Sequence, residues 1–251
     1  MKELNQYITE KLKINKDSSK YYYPKDKDEL RSLIEKLLEE RGKDADLNDI
    51  DVSDIMDMSE LFYGLDPHKI DISEWNVSNV KDMNDMFYYC ENFNSDLSRW
   101  NVSKVKDMKG MFYACKNFNS DLSNWDVSNV TNMYSMFCNC ENFNSDLSKW
   151  DVSNVENMEA MFVRCINFNS NLSRWNVSKV KDMYGMFCNC EKFNSDLSKW
   201  DVSNVTNMRT MFYKCKNFNS DISNWDVSNV KDMYFMFGKC NSLKNKPSWY
   251  K

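Results

Sequence analysis

One histidine, three prolines and five glycines are all that the 251 residues contain, and each scarcity removes something. With His68 the only imidazole, no recurring serine or cysteine has a repeated base to activate it, and an unactivated nucleophile is weak. His68 is expected to be a partly buried packing residue. So few glycines leave no phosphate-cradling Gly-rich loop and none of the Gly-rich, Asp-rich turns of calcium-binding parallel solenoids. No run approaches the roughly 18 apolar residues of a membrane helix. The opening MKELNQYITEKLKINKD lacks the continuous apolar core of a signal peptide, so export is expected to require a leader outside this sequence. A net charge of -5 gives no basic excess for a nucleic-acid backbone. The reading is non-enzymatic: no catalytic residue, no cofactor, no metal, no nucleic acid and no membrane insertion is expected.

What the chain does hold is hydrophobic, at 42%, and aromatic, at 14%, which is too rich for a disordered segment. Trp75, Trp100, Trp125, Trp150, Trp175, Trp200 and Trp225 stand at an interval of 25, and a period of that size kept without slippage indicates stacked repeats. Reading from Leu97, the apolar columns are Leu97, Trp100, Val102, Val105, Met108, Met111, Phe112, Cys115 and Phe118. A weakened first coil carries Leu47, Ile50, Val52, Ile55, Met58, Leu61, Phe62 and Leu65 in the same places, giving about eight coils.

The L-x-x-W-x-V spacing has the form of the strand segment of a leucine-rich repeat, and Met108, Met111, Phe112 and Cys115 fall on one face of a helical turn. The predicted fold is therefore an α/β repeat solenoid, leucine-rich-repeat-like, each coil with a short parallel strand and a short helical turn. At about 4.8 Å per strand, eight coils would span about 40 Å. Residues 1–45 are predicted to form an N-terminal helical segment and cap, and residues 46–251 the solenoid. Within the cap, Leu30, Leu33, Ile34, Leu37 and Leu38 share a face, Asp26 and Glu29 have capping-box spacing, and Gly42 stands where the helix should end. Leu4, Ile8 and Leu12 also have helical spacing, as part of the cap or as a partner-binding helix.

The phrase "NVTNM..MF..C..FN.DLS.WDVSNV", as in Asn129 to Val155, resembles the repeat of BspA-like leucine-rich-repeat surface proteins and related bacterial surface lipoproteins, from about Asp46 to Leu243. That resemblance implies a solenoid used for adhesion or protein binding, at the cell surface or secreted. It brings no catalytic residues, and no lipid-attachment cysteine is found near the start of this chain.

Seven of the nine cysteines, Cys90 to Cys240, occupy one core column, with Cys138 and Cys188 as neighbours. Pairs two coils apart lack zinc-site spacing, so a ladder of free thiols serving as small apolar filler is expected, which fits a reducing compartment. The Met pairs read as core. The column Asp71, Asp96, Asp121, Asp146, Asn171, Asp196 and Asp221 is expected to accept backbone N–H bonds at corners, a task Asn171 can share.

Function is then sought where coils differ. The candidate partner-binding surface is the pair of outward columns flanking Trp: Arg99 and Asn101, Asn124 and Asp126, Lys149 and Asp151, Arg174 and Asn176, Lys199 and Asp201, Asn224 and Asp226. A second strip, Tyr88, Tyr113, Cys138, Val163, Cys188 and Tyr213 with Tyr134, Tyr184 and Tyr234, offers aromatic anchors. Recognition of a protein is the first expectation. A structural spacer or self-assembling rod is the second, in which the array would associate end to end as a homodimer.

Overall fold

The computed structural model describes residues 21–250, and Leu4, Ile8 and Leu12 lie outside them. Each 25-residue segment forms one coil, and the coils stack with their apolar columns in register. Leu97, Val105, Met108, Met111, Phe112, Cys115 and Phe118 are all fully buried, and the same holds coil after coil in one continuous cluster until the last, where Val230, Met233, Cys240 and Leu243 are only partly buried.

The expected strand and helical turn are not what the coils contain. Among the described residues no strand forms. Parallel pairing is confined to single-residue bridges, and these join Asp82, Asp107, Asn132 and Asn157 from coil to coil instead of the Trp segment. Leu122 and Trp125 both point inward because a turn lies between them: Trp125 N–H donates to Leu122 carbonyl at 3.1 Å, and Val130 N–H to Val127 carbonyl at 2.9 Å. A three-residue step between two inward side chains fits a turn, not the two-residue alternation of a strand.

The Met-x-x-Met-Phe-x-x-Cys segment makes tight turns too. Met111 N–H reaches Met108 carbonyl at 3.3 Å and Cys115 N–H reaches Phe112 carbonyl at 3.0 Å. In each turn the third residue is left-handed, Gly110 at φ 56 and Ala114 at φ 60, as a type II turn requires. A left-handed residue in every turn ends an α-helix before it starts.

These turns form a ribbon with an unusual hydrogen-bond sense. Met108, Gly110, Phe112 and Ala114 donate to the carbonyls of Asn132, Tyr134, Met136 and Cys138 in the next coil, at 3.1, 2.8, 2.9 and 2.7 Å. The carbonyls of Asp107, Lys109, Met111 and Tyr113 accept from the previous coil, at 3.0, 2.7, 2.9 and 2.8 Å. All four ribbon N–H groups that cross between coils point forward and all four carbonyls backward, whereas a β-ladder alternates them. Met111 and Tyr113 N–H close turns within the coil, and Lys106 N–H just before the ribbon points back to Lys81 carbonyl at 2.9 Å.

Elsewhere around the coil, side chains replace the backbone ladder. Trp150 Nε1 donates to Leu122 carbonyl at 2.9 Å, and Cys165 Sγ donates to Phe137 carbonyl at 2.9 Å. Leu122 N–H donates to Ser145 Oγ at 2.9 Å, and Asn144 N–H donates to Asn119 Oδ1 at 2.8 Å. A buried carbonyl or amide left without a partner would cost about 1–3 kcal/mol, so Trp, Cys, Ser and Asn recur for their polar atoms as well as for their shape. The indoles stack with centroids 6.4 Å apart for Trp175 and Trp200 and planes at 1°, in the offset geometry aromatic rings prefer. Trp249, one residue out of period, adds a further rung, 6.3 Å from Trp225 with its Nε1 bonded to Ile222 carbonyl at 3.2 Å.

The single described helix, α1 (Lys27–Arg41), begins as expected, with Asp26 accepting from Glu29 N–H, and ends at Gly42. Leu30, Ile34, Leu37 and Leu38 are buried and Leu33 partly so. Its Arg31 also fans across the first coil, donating to the carbonyls of Glu60, Leu61 and Tyr63 at 2.8, 3.0 and 2.9 Å, and Lys43 donates to Leu65 carbonyl. Leu61 and Tyr63 stand in the columns of Met111 and Tyr113, whose carbonyls accept from the previous coil, so Arg31 serves two backward-pointing carbonyls that no earlier coil can meet, and a cation is the partner suited to them.

Candidate functional site

The Trp-flanking columns are outward, as expected. Arg99, Asn101, Asn124, Asp126, Lys149, Asp151, Arg174, Asn176, Lys199, Asp201, Asn224 and Asp226 are all exposed. The second of the two columns, however, is engaged in the fold. Asn101 Oδ1 accepts Ser103 N–H at 3.1 Å, and Asp126, Asp151 and Asp201 do the same with the serine two residues on. The corner column repeats the device, with Asp96 holding Ser98 at 2.9 Å and Asn171 holding Ser173 at 3.0 Å. Among the described residues no group of three His, Cys, Asp or Glu side chains converges on one point.

The thiol column is free and is buried from Cys90 to Cys215, and burial pushes Cys90 up to about 12. Cys138 is buried as well, only 6% exposed, whereas Cys188 and Cys240 are half-buried. His68 is half-buried, its backbone N–H bonded to Lys43 carbonyl at 2.9 Å.

A more concave feature lies on the turn ribbon. The side chains beside its left-handed positions rise from the ribbon and stack along the array. Tyr63 and Tyr88 lie 5.5 Å apart, and Tyr88 and Tyr113 lie 4.5 Å apart at 17°. Tyr89 closes edge-on against Tyr88 at 4.8 Å. Tyr63, Tyr88, Tyr113 and Tyr134 with Glu60, Asp85, Lys109, Gly110 and Ser135 line a groove of about 520 Å³. Asp85 lines it against Gly110. A Cβ on Gly110 would lie 2.0 Å from Asp85 Oδ1, so the carboxylate occupies the space a larger residue would fill. Desolvation first, and then the charges of Glu60, Asp107 and Asp82, push Asp85 above the usual carboxylate range against the opposing pull of Lys109. Tyr113 is pushed up to about 12, chiefly by burial.

The strip Tyr88, Tyr113 and Tyr134 was legible as a set of aromatic anchors. Glu60, Asp85, Lys109 and Gly110 were not, because a turn had to be recognised before those positions could be seen to share one face. Their signal in the sequence is variability: the left-handed column reads Glu60, Asp85, Gly110, Ser135, Ala160, Gly185, Thr210 and Phe235, while the core columns hardly change.

Stacked 25-residue coils with an aromatic spine, the helix Lys27–Arg41 before them and a variable turn face define a repeat protein. Residues 31–150 and 131–250 each match the family described as "Mycoplasma protein of unknown function, DUF285", and the chain belongs to that family. The two matches are offset by 100 residues, since 131 − 31 is four periods of 25, so both fall in the same register of the coil. No curated protein matches the chain.

Proposed function

We propose that this chain is a non-enzymatic recognition scaffold that binds a protein partner through the variable face of its turn ribbon. The observation that carries the reading is the contrast between columns. Trp, Phe, Met and Cys positions are copied from coil to coil, while the left-handed column and the Tyr63-to-Gly238 column change. Tyrosines on a rigid support supply large contact area with little conformational entropy to lose, as binding surfaces favour. The likeness to BspA-like leucine-rich-repeat surface proteins, in the joint spacing of W-[DN]-V-S, M-x-x-M-F and C, supports adhesion or host-protein binding as the biological form of this recognition.

Random-peptide display panned on the full chain tests it. Enriched peptides should lose binding to a Tyr88→Ala/Tyr134→Ala variant and keep it on an Arg174→Ala/Lys199→Ala variant. The reverse pattern would move the interface to the Trp-flanking columns. No enrichment at all would favour the spacer.

A further inference from the structure

The groove over Asp85 is acidic and aromatic at once, and its counter-charge is poorly supplied. Asp85 is only 19% exposed in its side chain, and Lys109, its ion-pair partner among the described residues, stays 3.9 Å away, beyond hydrogen-bond reach. Glu60, Asp82 and Asp107 add negative charge around it. Among the described residues no cation lies over the ring of Tyr63, Tyr88, Tyr113 or Tyr134.

Four coils further on, the same columns carry the missing component. There Arg209 replaces Lys109 and Tyr234 replaces Tyr134; the guanidinium lies 5.1 Å over the Tyr234 ring and its Nη1 is 3.6 Å from Asp232 Oδ2. Likewise Tyr213, on the column of Tyr113, is covered by Lys214 at 5.4 Å and Lys239 at 6.0 Å. Lys214 stands where Ala114 stands beside the groove. One end of the array therefore satisfies its tyrosines with its own cations, and the other end presents tyrosines and a carboxylate without them.

We infer that the groove formed by Tyr63, Tyr88, Tyr113 and Tyr134 over Asp85 is a binding site for an arginine side chain of a partner protein. This rests on the recognition reading above and names the chemistry of its central contact. A planar guanidinium can lie on a tyrosine face while donating two parallel hydrogen bonds to a carboxylate, and an ammonium cannot do both. Asp85 supplies the acceptor, Tyr134, the lining tyrosine with no ring stacked on it among the described residues, supplies the face beside the Tyr63, Tyr88 and Tyr113 stack, and Gly110, having no Cβ, leaves room for the carboxylate. Lys109, 47% exposed, is the internal cation that the incoming guanidinium displaces.

The test uses the ¹⁵N-labelled full chain titrated with Nα-acetyl-arginine amide and, separately, with the uncharged isostere Nα-acetyl-citrulline amide. Arginine amide should give saturable shifts of the Tyr88, Lys109 and Tyr113 amides in the millimolar range, and citrulline amide should bind more weakly by about tenfold or more. Asp85→Asn should weaken the arginine complex by a similar factor. Lys109→Ala should tighten it several-fold, because the competing cation is gone; a groove with only a structural role would not respond in that direction. Near-UV circular dichroism of each variant, matched to the parent, separates loss of binding from loss of fold. Equal binding of the two amides, a Lys109→Ala complex no tighter than the parent's, or no shift at the groove would overturn the assignment. The recognition reading fails separately. Display peptides that lack arginine but still require Tyr113 would leave that reading standing and remove the arginine site alone.

Discussion

Trp150 shows how much one residue of this array does at once. Its ring stacks on Trp175 at 6.5 Å, packs near Phe137 at 6.3 Å, and its Nε1 meets Leu122 carbonyl. Trp150→Ala is expected to destabilise the chain by about 3–5 kcal/mol, as large aromatic truncations in packed cores do, with a share from the orphaned carbonyl. Lys149→Ala, one residue away and exposed, should cost less than about 0.5 kcal/mol. Urea denaturation of both variants decides; similar losses would contradict the inward and outward columns. The cysteines allow a second check. Sequence position alone marks Cys138 and Cys188 as the pair to react first, but packing of Tyr113 and the turn buries Cys138, and the thiols left half-buried are Cys188 and Cys240. Those two should be modified first by a thiol reagent in the native state, Cys138 only slowly, and the remaining column only on unfolding. Early labelling of Cys138 would show the turn face to be open there.

At the scale of the element, the coil is built from turns, and that is where the sequence was hardest to read. The spacing Met108, Met111, Phe112, Cys115 matches a helix because two successive three-residue turns bring the same side chains inward. The distinguishing residues are those that tolerate positive φ, and they are scattered: Gly64, Gly110 and Gly185 fall in such positions, as do Asn139 and Asn189, but Ala160, Lys214 and Phe235 do as well. Burial was legible because it repeats; backbone conformation was not, because the ribbon imposes it on residues with no preference for it. The Asx turns are the part of the element that titrates. Asp96, Asp146, Asp196, Asp221 and Asp226 are held below the ordinary carboxylate value of 3.8, first of all by the N–H of the serine two residues on. A carboxyl whose folded pKa is depressed contributes stability above its unfolded value and loses it as pH falls through the folded one. Stability should therefore be flat down to about pH 4 and decline below it. Burial raises Asp85 and Glu159 instead, so those two gain on acidification and only partly offset the decline. Replacing the five aspartates by asparagine, as Asn171 already does, should flatten the acid limb of the urea midpoint against pH. An unchanged limb would remove the Asx carboxylates as its cause.

For the whole molecule, the coil is the unit of tolerance. Deleting residues 122–146 would join Asp121 to Leu147 with every column preserved, and the shortened array should fold and unfold cooperatively with one interface fewer. Deleting Ser123 alone should be far more damaging, because every later Trp, Phe and Cys would have to meet its neighbour one residue out of step. Circular dichroism and urea unfolding of the two deletions make the comparison, and equal outcomes would show that register does not govern stability. The number of coils was legible in the tryptophans, except for the rung made by Trp249. Its spacing of 24 from Trp225 hid it, and the structure absorbs the missing residue before the indole returns to the stack.

The one-way ribbon has an electrical consequence. In the coil of Met108 four ribbon peptides point their N–H forward along the stack and two, those of Lys106 and Asn117, point theirs back to the Lys81 and Glu91 carbonyls, so at roughly 3.5 D per peptide a net of two leaves on the order of 7 D that does not cancel against the next coil. The array is thus an electret whose moment lengthens with every repeat. Dielectric relaxation of the parent and the one-coil deletion, at matched ionic strength, should differ by an increment of that order.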